Sequence, residues 1–316
     1  MNNKLIKFNF SNKKKLYPKI KKIILTLSNG YDLPFLHYSQ IGLGSLTLTY
    51  LYALYIKSNI KNLEIIPFYP IRIIPIIKNV KYWYLRSSFE FHYKIQHLKR
   101  FLYFFLLGKT FKKSFIKKKN LFLSTHIDSE DTLFFKKISS LNLNYVKKNI
   151  VSVINFDYVI KKSNKLDLIK DKNKNITLGL HLRRGDFMHK KRKDFKISDR
   201  ANRKSNTSPD INGQINIIKK IKSKIKIINI YSDQSHSETL KELNSKLSKF
   251  KLNLFPVNSN GSKVLQDMMK NDVIILSNST LSITSCILSN QLALFQDQLL
   301  PKKVEKYFKN IKEIKC

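Results

Sequence analysis

The stretch ITLGLHL, residues 176 to 182, runs directly into Arg183, Arg184, Gly185, Asp186 and Phe187. A mostly apolar run of seven, bounded by a polar segment before it and a turn signal after it, reads as a buried strand. Outward from it the pattern is regular. INGQINIIKKIKSK, opened by Ser208, Pro209 and Asp210, reads as a helix, IKIINIYS as a strand, SHSETLKELNSKLSKF as a helix and KLNLFPV as a short strand. GSKVLQDMMKN then reads as a helix, DVIILSN (272–278) as a strand, STLSITSCILSN as a helix, and residues 302–314 as a last charged helix. Strands alternating with helices of about ten to fifteen residues predict a parallel, doubly wound sheet. Ligands of such sheets bind outside the carboxyl ends of the strands. The arginine pair follows one of those ends.

The first half shows the same rhythm less completely. KKIILTL (21–27) and NLEIIPF (62–68) read as strands on either side of a helix, GSLTLTYLYALYIKS (44–58). Residues 82–119, aromatic and rich in lysine, read as helical; NYVKKNIVSVINFDYVIKK is a further apolar set, and the polar stretch 163–175 reads as a linker or loop. The expected domains are 1–165 and 166–316, both of ordinary size, and 42% hydrophobic residues suffice for two cores.

A formal net charge of +39 would ordinarily point to nucleic acid or an anionic membrane surface. Lys, Asn and Ile are in excess in nearly every segment, however, as a drift toward A- and T-rich codons would produce, so compositional bias is the stronger reading of the lysines and nucleic acid the weaker partner. Cys286 and Cys316 are too few for a disulfide framework or a zinc site, which favours a reducing, cytoplasmic compartment. The N-terminus has no apolar core of signal-peptide length, and IIPFYPIRIIPII and FLYFFLLG are too broken or too short to span a bilayer. The expectation is a soluble or peripheral protein, with the basic N-terminus and residues 101–107 as candidates for contact with a membrane face.

Arginine is distributed differently from lysine. Five of the eight arginines lie between positions 183 and 203. Guanidinium presents a rigid planar fork that meets phosphate or carboxylate oxygens two at a time, so Arg183 and Arg184 point to an oxyanion. Asp186 can orient a guanidinium or take part in chemistry, and Gly185 permits a sharp turn. A surface turn holding an Arg–Asp ion pair reads the same four residues without a ligand. The loop 188–207 is long and basic, a length typical of functional or disordered segments.

His181-Leu182-Arg183-Arg184-Gly185-Asp186 resembles the HxRRxD signature of GDP-fucose-dependent fucosyltransferases, and is most similar to the HVRRGDY segment of the α-1,2-fucosyltransferase family. Ile41-Gly42-Leu43-Gly44 resembles that family's GGLGNQ element, and Ser277-Asn278-Ser279-Thr280-Leu281-Ser282 its ANSSFS element. Ile230-Tyr231-Ser232-Asp233 is similar to its FSDD strand end, and Asp267-Met268-Met269 to its DLYLM helix. The likeness runs from about residue 40 to 290. It departs at Ser45-Leu46, where the family has Asn-Gln, at Gln234, where it has a second aspartate, and at Ile283-Thr284, which replace a tryptophan pair.

The resemblance implies an α/β glycosyltransferase of the two-domain GT-B type, with the nucleotide-sugar on a Rossmann-like C-terminal domain and the glycan acceptor approaching from the N-terminal one. It implies inverting transfer of fucose from GDP-fucose, a substrate rather than a cofactor. The chain has no clean DxD; Asp128-Ser129-Glu130-Asp131 is the nearest, so arginines would replace a metal at the leaving diphosphate. Arg184 is then the first candidate for the diphosphate clamp and Arg183 the second. Ser279, Thr280 and Ser282 would offer hydroxyls and helix N-terminal amides to the phosphates, or simply cap their helix. Gly42 and Gly44 would let backbone approach donor or acceptor, or form a plain tight turn. Asp233 would bind ribose or base, or cap the next helix. His181 would line the donor site or pack within its strand. Asp186, Asp194 and His189 are the candidate bases. Two other readings stay open: a polyanion binder working through loop 188–207, and a degenerate transferase that binds carbohydrate.

Overall fold

Short apolar runs early in the chain pair side by side, in β1 (Ile6–Lys7), β2 (Lys22–Thr26), β3 (Glu64–Phe68), β4 (Phe115–Lys117) and β5 (Asn120–Ser124). The structure, a computed structural model, describes residues 6–7, 20–26, 43–60, 62–68, 115–117, 120–124, 132–151, 166–182, 211–232, 236–256, 261–296 and 299–314. The chain divides into two units, Met1–Phe156 and Asp157–Cys316. In the first, the sheet order is β1-β4-β5-β2-β3, with β2 parallel to β3 and β5, and β4 antiparallel to β1 and β5. Among the described residues, three helices belong to this unit: α1 (Leu43–Ser58), α2 (Thr132–Ile138) and α3 (Leu143–Ile150).

The helix α1 is apolar on most sides and correspondingly buried, so its polar side chains must be satisfied internally. Thr47 and Thr49 do this by donating to the carbonyls of Leu43 and Ser45, at 2.8 and 2.9 Å. Lys137 of α2, 4% exposed, donates to the Tyr52 hydroxyl at 3.3 Å and lies over the Tyr52 and Tyr55 rings. One expectation fails here. The described end of the segment expected to be helical, Phe115–Lys117, is a strand, because its residues pair antiparallel with β5, Phe115 opposite Phe122. The rest of 82–119 lies outside the described residues.

The second unit carries the regular alternation. Its elements are α4 (Asp167–Lys170), β6 (Asn175–Leu182), α5 (Ile211–Lys220), β7 (Lys224–Ser232), α6 (His236–Leu247), β8 (Leu252–Leu254), α7 (Gly261–Lys270), β9 (Val273–Ile275), α8 (Thr280–Ser289), β10 (Leu292–Phe295), α9 (Leu299–Glu305) and β11 (Ile311–Glu313). All described pairings in its sheet are parallel, in the order β8-β7-β6-β9-β10-β11. Starting from β6, the chain builds outward to β8, returns to the other side of β6 with β9, and builds outward again. This is the doubly wound, Rossmann-like α/β order, and its direction reverses between β6 and β9.

Alternation along β6 sorts its two faces. Ile176, Leu178, Leu180 and Leu182 join Ile228 and Ile230 of β7 and the apolar stripes of α5 and α6 in one core. The opposite face carries Thr177, Gly179 and His181, followed across the sheet by Asn229 and Tyr231. That polar face is satisfied side chain by side chain. The Tyr231 hydroxyl donates to Asp267 Oδ2 at 2.7 Å and accepts from Asn271 Nδ2 at 2.8 Å. Asn271 Oδ1 accepts from Asn229, whose own Oδ1 accepts from Asn253. Burial first, and then the hydrogen bond and charge of Asp267, hold the Tyr231 phenol protonated far above its usual range.

Two further expectations are corrected. The segment 302–314 is not one helix: α9 ends at Glu305 and β11 follows, parallel to β10. The buried Asn310 side chain makes the switch, donating to the carbonyls of Cys286 and Gln291 at 3.0 and 2.8 Å and so tying the turn before β11 to the end of α8. Within the supposed linker 163–175, residues 167–170 form the helical turn α4 and Asn175 already belongs to β6. No helix among the described residues is long and apolar enough to cross a membrane.

Candidate functional site

At the reversal point the carboxyl ends of β6 and β9 lie side by side, Leu180 being paired with Ile275. Diverging connections leave a crevice beyond such a point, which is where open parallel sheets take their ligands. Three side chains bind the two strand ends together. His181 Nδ1 and Ser277 Oγ share a hydrogen bond of 2.8 Å, and both residues are buried. From the other face, Gln214 of α5 reaches up and donates through Nε2 to the carbonyls of His181 and Leu276, at 3.0 and 3.2 Å.

The orientation of the Gln214 amide follows from those partners. Both are carbonyl oxygens, so only the NH₂ end can face them. Its Oε1 is buried and has no hydrogen-bond partner among the described residues. An amide oxygen in that state costs about 1–3 kcal/mol relative to a satisfied one. Gln214→Met, which drops both donors and the unsatisfied acceptor together, should lower stability by about 1–2 kcal/mol in urea unfolding. Gln214→Glu turns a carboxylate toward two carbonyls and should lower it by about 3 kcal/mol or more. Equal losses would contradict the orientation assigned to the amide.

The helix α8 starts at the same edge. Ser279 is its N-cap, in extended conformation with its hydroxyl accepting from the Leu281 amide at 3.3 Å. Ser282, fully buried, donates to the Ser279 carbonyl at 3.3 Å. Both hydroxyls therefore have structural employment within the helix. Thr280, partly exposed, occupies the first helical position. Asn278 Oδ1 accepts from the Leu300 amide, linking the turn before α8 to α9. Ser279→Ala should cost about 1 kcal/mol of stability, measured as a shift in thermal midpoint, by loss of the cap.

Of the residues that the sequence marks, His181, Ser279, Thr280 and Ser282 thus stand together around the β6–β9 edge. Gly44 belongs to the other unit, buried in the first turn of α1. Gly42, Arg183, Arg184, Asp186, Asp194, His189, Asp233 and the loop 188–207 lie outside the described residues, although Arg183 follows directly in sequence the last residue of β6. Gln214 was missed by sequence reasoning. Its signal was present: it occupies the stripe of Ile211, Ile215 and Ile218, a polar residue on the buried face of a helix. No protein-family model matches the chain, and no curated protein matches it.

Proposed function

We propose that this chain is a metal-independent glycosyltransferase of the two-domain GT-B type that moves fucose from GDP-fucose to a hydroxyl of a glycan with inversion. The observation that carries the reading is one of position: the arginine pair of HLRRGD follows β6 where the strand order reverses. A guanidinium fork next to the amino end of a helix is a chemistry for diphosphate.

In the reaction, the acceptor oxygen attacks the anomeric carbon from the face opposite the diphosphate, the bond from that carbon to the β-phosphate oxygen breaks, and GDP leaves with the bonding electrons. Charge builds on the β-phosphate as it leaves. Arg184, assisted by Arg183, stabilises that charge more in the transition state than in the ground state, which is the condition for acceleration. Asp186 takes the hydroxyl proton, with Asp194 and His189 as the other candidates. The buried Gln214 Oε1 is an acceptor suited to a ligand hydroxyl or N–H. The N-terminal unit is assigned to the acceptor.

The test is GDP release from GDP-fucose in the presence of EDTA with a panel of glycan acceptors, followed by determination of the anomeric configuration of the product. Turnover with an inverted product supports the assignment. Turnover that vanishes with EDTA, or a retained configuration, contradicts it.

A further inference from the structure

The amino end of the C-terminal sheet, opposite the strand ends of the candidate site, has a chemistry of its own. Three turns meet there: KDKNK (170–174) between α4 and β6, KKIKSKIK (219–226) between α5 and β7, and KLSKFK (246–251) between α6 and β8. Eleven of these nineteen residues are lysine and one is acidic, whereas Lys and Arg together make up 60 of the 316 residues of the chain. More than half against fewer than one in five is an enrichment that a uniform compositional drift does not produce. All eleven lysines are exposed.

The turns are fastened to one another. The amides of Lys222 and Lys224 donate to the carbonyls of Ile169 and Lys174, at 2.8 and 2.9 Å, and Ser223 Oγ donates to the carbonyls of Leu168 and Asp171. The Ile228 amide donates to the carbonyl of Lys251 at 2.9 Å. The charges therefore sit on a built platform. Lysines in the last turns of α4, α5 and α6 answer the helix dipoles, but those within KNK, KSKIK and SKFK lie beyond the helix ends, where that explanation stops.

The platform is separate from the crevice. The eight residues of β6 span roughly 25 Å, about three Debye lengths at physiological salt, so its charges do little to attract a ligand at the other end of the sheet. Its composition also selects a class of partner. None of the eight arginines lies in it, and its only aromatic residue, Phe250, is packed against the core. Base-reading and single-strand nucleic-acid surfaces add arginine forks or stacking aromatics to their positive charge, whereas compact, hydrated lysine ammonium groups suit a fluid array of lipid headgroups that demands no fixed geometry.

We infer that the amino end of the C-terminal sheet is a docking surface for an anionic lipid bilayer, which holds the protein on the membrane with the crevice facing away from it. This goes beyond the assigned transfer reaction and does not depend on it. The test is co-sedimentation of the full chain with phosphatidylcholine vesicles, with and without about one third phosphatidylserine. One variant reverses five platform lysines, Lys172, Lys219, Lys222, Lys224 and Lys249, each to Glu. A control reverses five exposed lysines outside the three turns, Lys136, Lys147, Lys148, Lys241 and Lys263, giving the same net charge. A platform variant with Gln in place of Glu, checked by circular dichroism, covers the case in which charge reversal prevents folding.

The wild type should bind only the anionic vesicles and lose binding as salt is raised to roughly 0.5 M. The platform variants should bind roughly tenfold or more weakly, and the control within about threefold of wild type. Equal losses in platform and control variants would reduce the effect to bulk charge and overturn the inference. So would equal binding to neutral vesicles, no binding to either kind, or a platform variant that loses affinity for an RNA oligonucleotide while keeping it for vesicles. A GDP-induced shift in thermal midpoint that survives in the platform variants separates this surface from the donor site.

Discussion

Arg184→Lys is expected to lower the rate of transfer from GDP-fucose by about two to three orders of magnitude, which is what the loss of one well-placed donor to a developing oxyanion costs. Charge is conserved in this substitution and geometry is not. An ammonium offers one point of charge on a flexible stem where a guanidinium offers two parallel N–H bonds, so the loss falls on kcat/KM rather than on folding. The thermal midpoint of the unliganded protein should stay within about 1 °C of wild type, because the substitution exchanges one cation for another and conserves charge. Steady-state kinetics and a melting curve measured on the same preparation check both halves. Arg184→Ala should be at least as inactive. A lysine variant with near-normal turnover would mean that diphosphate is not held here by a bidentate fork.

The second large effect concerns stability. A Cβ added at Gly179 would lie 3.0 Å from Asn271 Nδ2, 3.1 Å from Asn271 Cγ and 3.3 Å from Ile274 Cγ1. Asn271 cannot yield easily, since its amide holds the Tyr231 hydroxyl, the carbonyls of Asp267 and Met268, and Asn229. Gly179→Ala has a partial offset, for it removes up to about 1 kcal/mol of unfolded-state entropy, and should come out destabilising by only about 1 kcal/mol. Gly179→Val adds two methyl groups more than alanine in the same confined space and should cost about 3 kcal/mol, the upper end of core overpacking. Chemical denaturation of both variants checks the order. Since Gly179 stands two residues before His181 on β6, the valine variant should also weaken whatever binds at the strand end, an effect read in the GDP midpoint shift.

The doubly wound half was legible because its amphipathic helices present one apolar stripe and its strands are short apolar runs, so β6, β7, α5 and α7 appear almost as the sequence suggests. Where the pattern was silent, elements were lost. Leu292–Phe295 is four apolar residues two positions after the left-handed cap Asn290, too short to show a period, and only burial between β9 and β11 identifies it as a strand. Ile311–Glu313 lies among lysines in a segment with a helical look, and its strand character comes from pairing with β10 and from the clamp of Asn310, which no local window contains. Among the candidate site residues, the two arginines stand out in the sequence by type. The His181–Ser277 bond joins positions 96 apart, and Gln214 reaches 62 positions to Leu276, so neither contact has a local signature. The mixed first sheet was half legible for the same reason: the parallel β2–β3 pair follows the βαβ rhythm, whereas β4 and β5 fall in or beside a segment of mixed periodicity.

On the proposed function, the strand ends around His181 and the arginine pair that follows in sequence bind a guanine diphosphate without a metal ion. A thermal-shift titration with GDP, GDP-fucose, GDP-mannose and UDP-glucose, in the presence of EDTA, on the wild type and on Arg184→Ala, tests it most directly. At a ligand concentration of about one hundred times Kd, binding should add about 2.7 kcal/mol, enough to raise the midpoint by several degrees. That rise is expected with the guanine nucleotides, none with UDP-glucose, and none with any of the four in the variant. A flat response of the wild type to all four, or a shift of the same size in Arg184→Ala, would contradict it.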